Sequence, residues 1–186
     1  MVSLAQLWLP IALSAVFVFF ASSLLHMVLR FWHAPDCHGF SNEDEVGAAM
    51  RKGGAGTGLY MIPYCTPEKM RDPAMAEKFK TGPVAVVFLR KPGPMNMAAF
   101  LGQWFAFCLF VSVICALLAL SVLPHGAPHE HVFHLVGLAA LMAYAFGVIP
   151  DAIWWGHPWR SAIKHIIDGV IYAVITGLTF AWLWPA

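Results

Sequence analysis

Histidine and aspartate side chains interrupt the long apolar runs of this 186-residue sequence, and four of them form a first group. His26 falls near the end of the first run, Asp151 near the end of the third, and His165 and Asp168 near the start of the fourth. Ionisable side chains are costly in hydrocarbon, so they normally turn inward and pair with one another. A cluster of imidazole and carboxylate groups in a membrane could relay protons or ions, or bind a polar head group.

Counting residues from the ends of the runs places these groups at one depth. At a rise of about 1.5 Å per residue, each lies roughly 6 to 10 Å below the predicted inner surface, and Gln103 shares that depth. Arg30 follows His26 by one helical turn. The alternative to a working site is a polar clamp that fixes how the helices pack. The predicted intramembrane polar cluster consists of His26, Arg30, Gln103, Asp151, His165 and Asp168.

A second group of histidines lies in the turn between the second and third apolar runs, beside Pro124 and Pro128. Imidazoles at this density can bind zinc, copper or nickel. They can equally be neutral polar caps on the turn, because their spacing matches no closed zinc motif. The candidate metal ligands of this outer group are His125, His129, His131 and His134.

The composition predicts a membrane protein. The chain is 60% hydrophobic and only 11% charged, whereas soluble domains carry about 25% charged residues. A spanning helix needs about 20 mostly apolar residues, and four runs meet that length. We predict an all-α membrane protein with four transmembrane helices and a small cytoplasmic α+β insert between helices 1 and 2. The predicted helices cover residues 7–30, 98–123, 132–155 and 161–184, joined by the insert at 31–97, an external turn at 124–131 and a cytoplasmic loop at 156–160.

The positive charge can all lie on one side of the membrane. Of the eleven lysines and arginines, nine lie from Arg30 to Lys91. The other two are Arg160, in the loop before the fourth run, and Lys164, near the start of that run. Basic loops tend to stay cytoplasmic. The pattern predicts a multi-pass protein of the bacterial inner membrane, with a cytoplasmic insert and both termini in the periplasm. The first run lacks a basic leader, so we expect a retained anchor.

The insert carries the signals of a small fold of its own. Residues 59–64 and 84–89 are rich in β-branched and aromatic side chains, which predicts two short strands that can pair with each other. Asp72 followed by Pro73 predicts the start of a helix between them. We expect this insert to form a structured cap at the inner end of the helices.

Three motifs carry a resemblance to a known family. They are LGQWF at residues 101–105, PDAIWWGHPW at 150–159 and DGVIYA at 168–173. With them the chain resembles a family of small, uncharacterised four-helix membrane proteins of the bacterial inner membrane. That resemblance implies four helices and an unknown function, and it assigns no catalytic residue.

Three functions are compatible with these patterns. The sequence has no nucleotide-binding loop and no nucleophile elbow, which favours a non-enzymatic accessory, assembly or scaffold subunit of a membrane complex without excluding an enzyme. The first alternative is a small proton-linked transporter or channel that uses the intramembrane aspartates and histidines. The second is a redox module that binds a metal, or a haem between His26 and His165. No cofactor is otherwise identifiable.

The expected partners follow from the apolar surface and the balanced charge of the insert. The lipid bilayer is the first, and other membrane subunits or further copies of the chain are the next. Nucleic acid is not expected, because the nine basic residues from Arg30 to Lys91 are offset by seven acidic ones.

Overall fold

The computed structural model describes residues 2–186 and is mostly helical, with 69% of the chain in helices. Within the described residues, four helical segments are long and apolar enough to cross a membrane, in agreement with the predicted all-α membrane protein. These spans are Leu4–Val28, Met97–Val122, His129–Trp154 and Trp159–Trp182. We call the end of the spans at which the first ends and the second begins the proximal end, and the opposite end the distal end.

The first span changes its helical winding near the proximal end. A 3-10 turn at Leu4–Leu7 leads into α1 (Trp8–Ser23), and a π-helical turn follows at Leu24–Val28. The chain then breaks at Leu29 and continues in the short helix α2 (Arg30–His33) and a 3-10 turn at Ala34–Asp36.

The described chain divides into two compact units, and His38–Met95 is the smaller one. It contains α3 (Glu43–Lys52), β1 (Gly58–Ile62), α4 (Pro73–Thr81) and β2 (Ala85–Leu89). Both predicted strands form, and they pair antiparallel, a pairing that the sequence left open. The predicted helix start is also present, because the Asp72 carboxylate accepts a hydrogen bond of 2.9 Å from the backbone amide of Ala74.

The larger unit consists of the described residues up to Cys37 together with Asn96–Ala186. It contains the first span and the three spans that follow the smaller unit. The second span is the single helix α5 (Met97–Val122). The third is α6 (His129–Ala145) followed by α7 (Val148–Trp154), and the fourth is α8 (Trp159–Trp182).

The interruption of the third span has a local cause in the sequence. Pro150 lies in the first turn of α7, where its missing N–H is tolerated. Its ring would clash with the carbonyl of Phe146 in a continuous helix, and α6 ends immediately before Phe146. The proline therefore accounts for the break, which re-aims the last two turns of the span.

Small residues bring α6 and α8 close together. A Cβ atom built on Gly169 would lie 2.6 Å from the Cα of Ala145, and one on Gly177 would lie 3.0 Å from the Phe133 side chain. Ala173 lies midway between the two glycines, so small residues recur every four positions along one face of α8. Such faces allow close backbone approach in membranes, where packing drives helix association.

Candidate functional site

The most buried charged side chain of the spans, Asp168 on α8, lies at the centre of a polar cluster. Its exposed fraction is only 2%. Its Oδ1 accepts a hydrogen bond of 2.9 Å from the indole Nε1 of Trp32. Its Oδ2 lies 2.6 Å from Nε2 of His33 and 3.9 Å from Nε2 of His26. An unprotonated imidazole nitrogen and a carboxylate oxygen would repel each other at 2.6 Å, so the His33–Asp168 contact holds one proton.

His33 is oriented from its other side by a second carboxylate. Its Nδ1 lies 3.3 Å from Oδ2 of Asp36, and Oδ1 of Asp36 accepts a hydrogen bond of 2.6 Å from Nζ of Lys164. That ammonium also donates to the backbone carbonyl of Trp32. The hydrogen bond from Lys164, followed by that from His33, lowers the pKa of Asp36 below its usual 3.8. An ionised Asp36 accepts a hydrogen bond from Nδ1–H of His33, and this bond orients the ring so that Nε2 points towards Asp168.

Three imidazole rings stack beside this carboxylate. The ring centroid of His33 lies 4.2 Å from that of His26 and 5.0 Å from that of His165. The Nδ1 of His26 lies 3.1 Å from the backbone carbonyl of Ser22, one turn earlier in the helix. When Nδ1 donates to that carbonyl, the lone pair of Nε2 is left facing Asp168.

These four side chains offer the donor set of a metal site. One ligand atom from each of His26, His33, His165 and Asp168 lies within 4.8 Å of the others. Imidazole nitrogen and carboxylate oxygen bind Zn²⁺ at about 2.0 to 2.2 Å, usually with four ligands. A tetrahedral site with such bonds has its ligand atoms roughly 3.3 Å apart. Ligand atoms that now lie up to 4.8 Å apart must therefore approach by as much as roughly 1.5 Å. The 2.6 Å contact between His33 and Asp168 must open, and the 3.9 Å contact between His26 and Asp168 must shorten.

The π-helical turn at the end of the first span positions His26, which lies within the turn, and His33, which lies five residues after it. The backbone amide of Leu29 donates to the carbonyl of Leu24 at 2.9 Å, which widens the helix by one residue. Just before it, the hydroxyls of Ser22 and Ser23 both donate to the carbonyl of Phe19 and so compete with the regular backbone ladder. Single π-helical turns occur frequently at functional sites.

A cavity of about 610 Å³ lies against the cluster. Its lining includes three cluster members, His26, His165 and Asp168, together with Asp151 of α7 and His157 in the loop that follows it. Most of the remaining wall is apolar or aromatic and includes Met27, Leu101 and Val148. Ser22, Ser23 and Tyr172 also line the cavity. All lining residues belong to the larger of the two units.

The structure brings together part of the predicted intramembrane cluster. His26, His165 and Asp168 converge, and Asp151 is exposed and lines the neighbouring cavity. Gln103 and Arg30 are exposed and belong neither to the ligand group nor to the cavity lining.

The outer histidines do not converge in the same way. His129, His131 and His134 lie on α6, which begins at His129, and all three are exposed, as is His125 in the preceding turn. Among the described residues, the group around Asp168 is the one whose ligand atoms meet, and it contains none of these four.

The structure leaves no room for a haem between His26 and His165, the pair that the sequence suggested as haem ligands. The rings of His26 and His165 are 6.2 Å apart and nearly parallel, and the His33 ring stacks against both. A porphyrin between them would have to occupy the space that His33 fills. The three imidazoles therefore favour a single ion over a haem.

The sequence did not identify His33 or Asp36 as members of the cluster. It also did not predict that Lys164 is buried and donates a hydrogen bond to Asp36. A usable signal was present for His33, because it follows His26 by seven residues, which is two helical turns on one face. No comparable signal linked Asp36 to Lys164, which are separated by 128 positions.

Comparison with known proteins gives one partial relative. No protein-family model matches the chain, and no solved structure does. The Na⁺/H⁺ antiporter NhaC of Bacillus subtilis (strain 168) is 31% identical over 84 aligned residues, which cover 41% of this chain. The chain spans only 17% of that protein's length, so the match does not show a family. Together with the four apolar helices of the described residues, it supports a membrane protein.

The Lys164–Asp36 pair provides a stability test. Lys164 is 8% exposed, so Lys164→Met should lower the melting temperature of the detergent-solubilised protein by leaving the Asp36 carboxylate without its partner. Adding Asp36→Leu should restore much of the loss. The exposed pair Lys80–Glu77, with 3.9 Å between charged atoms, supplies the control: Lys80→Met should have little effect. Equal effects of the two lysine variants would contradict a structural role for the buried pair.

The same pair predicts a dependence on pH with a definite sign. A carboxyl group whose pKa is lower in the folded protein stabilises the fold above its unfolded pKa. For Asp36 that contribution is present above its ordinary value of 3.8 and is lost as the pH falls through the lowered pKa. The difference in melting temperature between wild type and Lys164→Met should therefore shrink in strong acid.

Proposed function

We propose that this protein binds a divalent transition-metal ion of the Zn²⁺ type at the site formed by His26, His33, His165 and Asp168. The observation that carries the proposal is the convergence of four ligand atoms within 4.8 Å, with one member oriented by Asp36. A carboxylate behind a ligating histidine is the usual arrangement around protein-bound metals. The proton now shared between His33 and Asp168 occupies part of the space that the ion would take.

Metal analysis of the purified protein tests this directly. A preparation without a polyhistidine tag, saturated with Zn²⁺ and desalted, should retain about one ion per chain, as a closed four-ligand site would. Treatment with a chelator should remove the ion, and added Zn²⁺ should restore it. His33→Gln should lower the retained metal severalfold or more, whereas the exposed His129→Gln should not. Equal metal content in wild type and His33→Gln, or none in wild type, would overturn the proposal.

A Na⁺- or proton-linked transport function is the second candidate. Two observations favour it: the partial similarity to a Na⁺/H⁺ antiporter, and a buried carboxylate that shares a proton with His33. Intramembrane carboxylate–histidine pairs can act as proton relays. Proteoliposomes with a pH-sensitive dye in the lumen discriminate the two candidates. Proton flux driven by a Na⁺ gradient, from metal-free protein, would favour transport over the metal site.

An accessory or scaffold role in a membrane complex remains a prediction, and a metal-binding subunit is compatible with it. The orientation is likewise part of our proposal: the basic segment Arg30 to Lys91 supports a cytoplasmic insert and periplasmic termini in the bacterial inner membrane. In that orientation the metal site lies in the cytoplasmic half of the bilayer.

A further inference from the structure

The cavity beside the metal cluster has the size and lining of a ligand site. Its volume of about 610 Å³ falls within the roughly 300 to 1,000 Å³ typical of small-molecule pockets. Such pockets combine a mostly apolar wall with a few polar groups that fix the orientation of the ligand. Here the polar groups include Asp168 and His165 of the proposed metal site, so a bound molecule would lie directly against the ion.

The cavity wall reaches the outer surface of the spans. Met27 of the first span is 53% exposed and Phe100 of the second is 40% exposed, and both line the cavity. Because these residues belong to membrane-spanning segments, the surface that they share is at the level of the bilayer. Molecules that dissolve in the bilayer therefore have the most direct access.

A buried hydroxyl in the wall has no hydrogen-bond partner in the described part of the chain. Tyr172 is 3% exposed and lines the cavity, and its hydroxyl lacks a hydrogen bond to any of the described residues. Buried polar groups are nearly always hydrogen-bonded, so an unpaired hydroxyl on a cavity-lining side chain supports a bound group at this site. The hydroxyl oxygen has almost no accessible surface, so a small tilt of the Tyr172 ring must accompany that contact. Tyr172 follows Asp168 by four residues, which places the two side chains on one face of α8. The Nε2 atom of His157, also in the lining, is a second buried polar atom without a partner among the described residues.

We propose that this cavity binds a single-chain lipid with an acidic head group, of the fatty-acid type, drawn from the bilayer. One head-group oxygen accepts a hydrogen bond from the hydroxyl of Tyr172, and the other lies on the side of Asp168, where the charge of the four-coordinate ion attracts it without a further metal bond. The apolar wall around Leu101 and Val148 contacts the chain. The inference rests on the proposed metal site for one step: the ion offsets the negative charge of Asp168 and Asp151, which would otherwise repel a carboxylate.

Photo-crosslinking with a diazirine-bearing palmitic acid tests the proposal. Zn²⁺-loaded protein in mild detergent should be labelled on peptides that line the cavity, around Met27, Leu101 and Val148. The methyl ester of the same probe should label these peptides about tenfold less, because a hydrogen bond to a charged oxygen is stronger than one to an ester. Label spread evenly over the exposed faces of all four spans, with no preference for the acid, would overturn the proposal.

Two variants separate recognition from nonspecific labelling. Tyr172→Phe removes only the orphan hydroxyl, so the protein should fold normally while its preference for the acid over the ester falls severalfold. Leu101→Trp should fill the cavity and reduce the cavity label by about tenfold. Its matched control is Leu117→Trp, at a position that is 46% exposed on the same helix. Unchanged acid preference in Tyr172→Phe would exclude the tyrosine from recognition even if Leu101→Trp failed to fold.

Metal content measured on the same samples distinguishes failure of the site from failure of this inference. One bound ion per chain without localised label would remove the lipid and leave the metal site. Localised, acid-selective label on a chain that retains no metal would remove the proposed metal function and keep the lipid bound through Tyr172. Loss of both label and metal in Asp168→Asn is the result expected if both are correct.

Discussion

Asp168→Asn is expected to weaken Zn²⁺ binding by at least about 100-fold, since even second-shell changes cost about 10- to 100-fold in metal affinity. Asparagine has nearly the same shape as aspartate but supplies no anionic oxygen to an ion. The affinity should be measured by competition with a fluorescent zinc chelator in detergent solution. The same substitution should abolish the shared proton of the His33–Asp168 contact.

The fold should survive this change, which makes the variant informative. The side-chain carbonyl of the introduced asparagine can still accept from Trp32, and its amide can donate to the Nε2 of His33 that Asp168 now contacts. Circular dichroism and the melting temperature should therefore stay close to wild type. As the matched control, Asp151→Asn removes an exposed carboxylate at the same end of the spans and should lose less affinity. Similar affinities in wild type and Asp168→Asn would contradict the metal site.

Gly169→Ala should destabilise the protein by about 3 kcal/mol, at the upper end of the usual cost of overpacking. The added methyl group would lie 2.6 Å from the Cα of Ala145 and 2.8 Å from its backbone nitrogen, and neither atom can move without shifting α6. Unfolding in detergent mixtures, followed by circular dichroism, gives the change in free energy. Because Gly169 adjoins Asp168, this close contact also fixes where the carboxylate lies, so the variant should lose metal as well.

A second glycine supplies the control for this experiment. Gly102 lies on α5, and a Cβ atom built there would meet nothing within 4 Å. Gly102→Ala should therefore be neutral or stabilise the helix by up to about 1 kcal/mol, since alanine is the better helix former. If the two alanine variants change the stability equally, the contact between α6 and α8 does not hold the bundle together.

Part of the polar cluster could be predicted from the sequence, because depth in a membrane follows from residue counting. The rise along a helix places His26, His165 and Asp168 near one level. Depth alone also included Gln103 and Arg30, which the structure places on exposed surfaces. Side chains of successive residues point about 100° apart around the helix axis. Which of these directions faces the interior depends on how the neighbouring helices pack, and residue counting does not give that.

The sequence by itself determined four apolar spans, because a helix that crosses hydrocarbon must satisfy its backbone internally and present apolar side chains over about 20 residues. Local signals also determined the two strands and the capped helix of the smaller unit. Only the tertiary structure decided which polar groups meet. The contacts of Asp168 with Trp32 and His33 join residues 136 and 135 positions apart. They depend on the π-helical turn and on the close packing at Gly169, and no periodicity in the sequence encodes such long-range contacts.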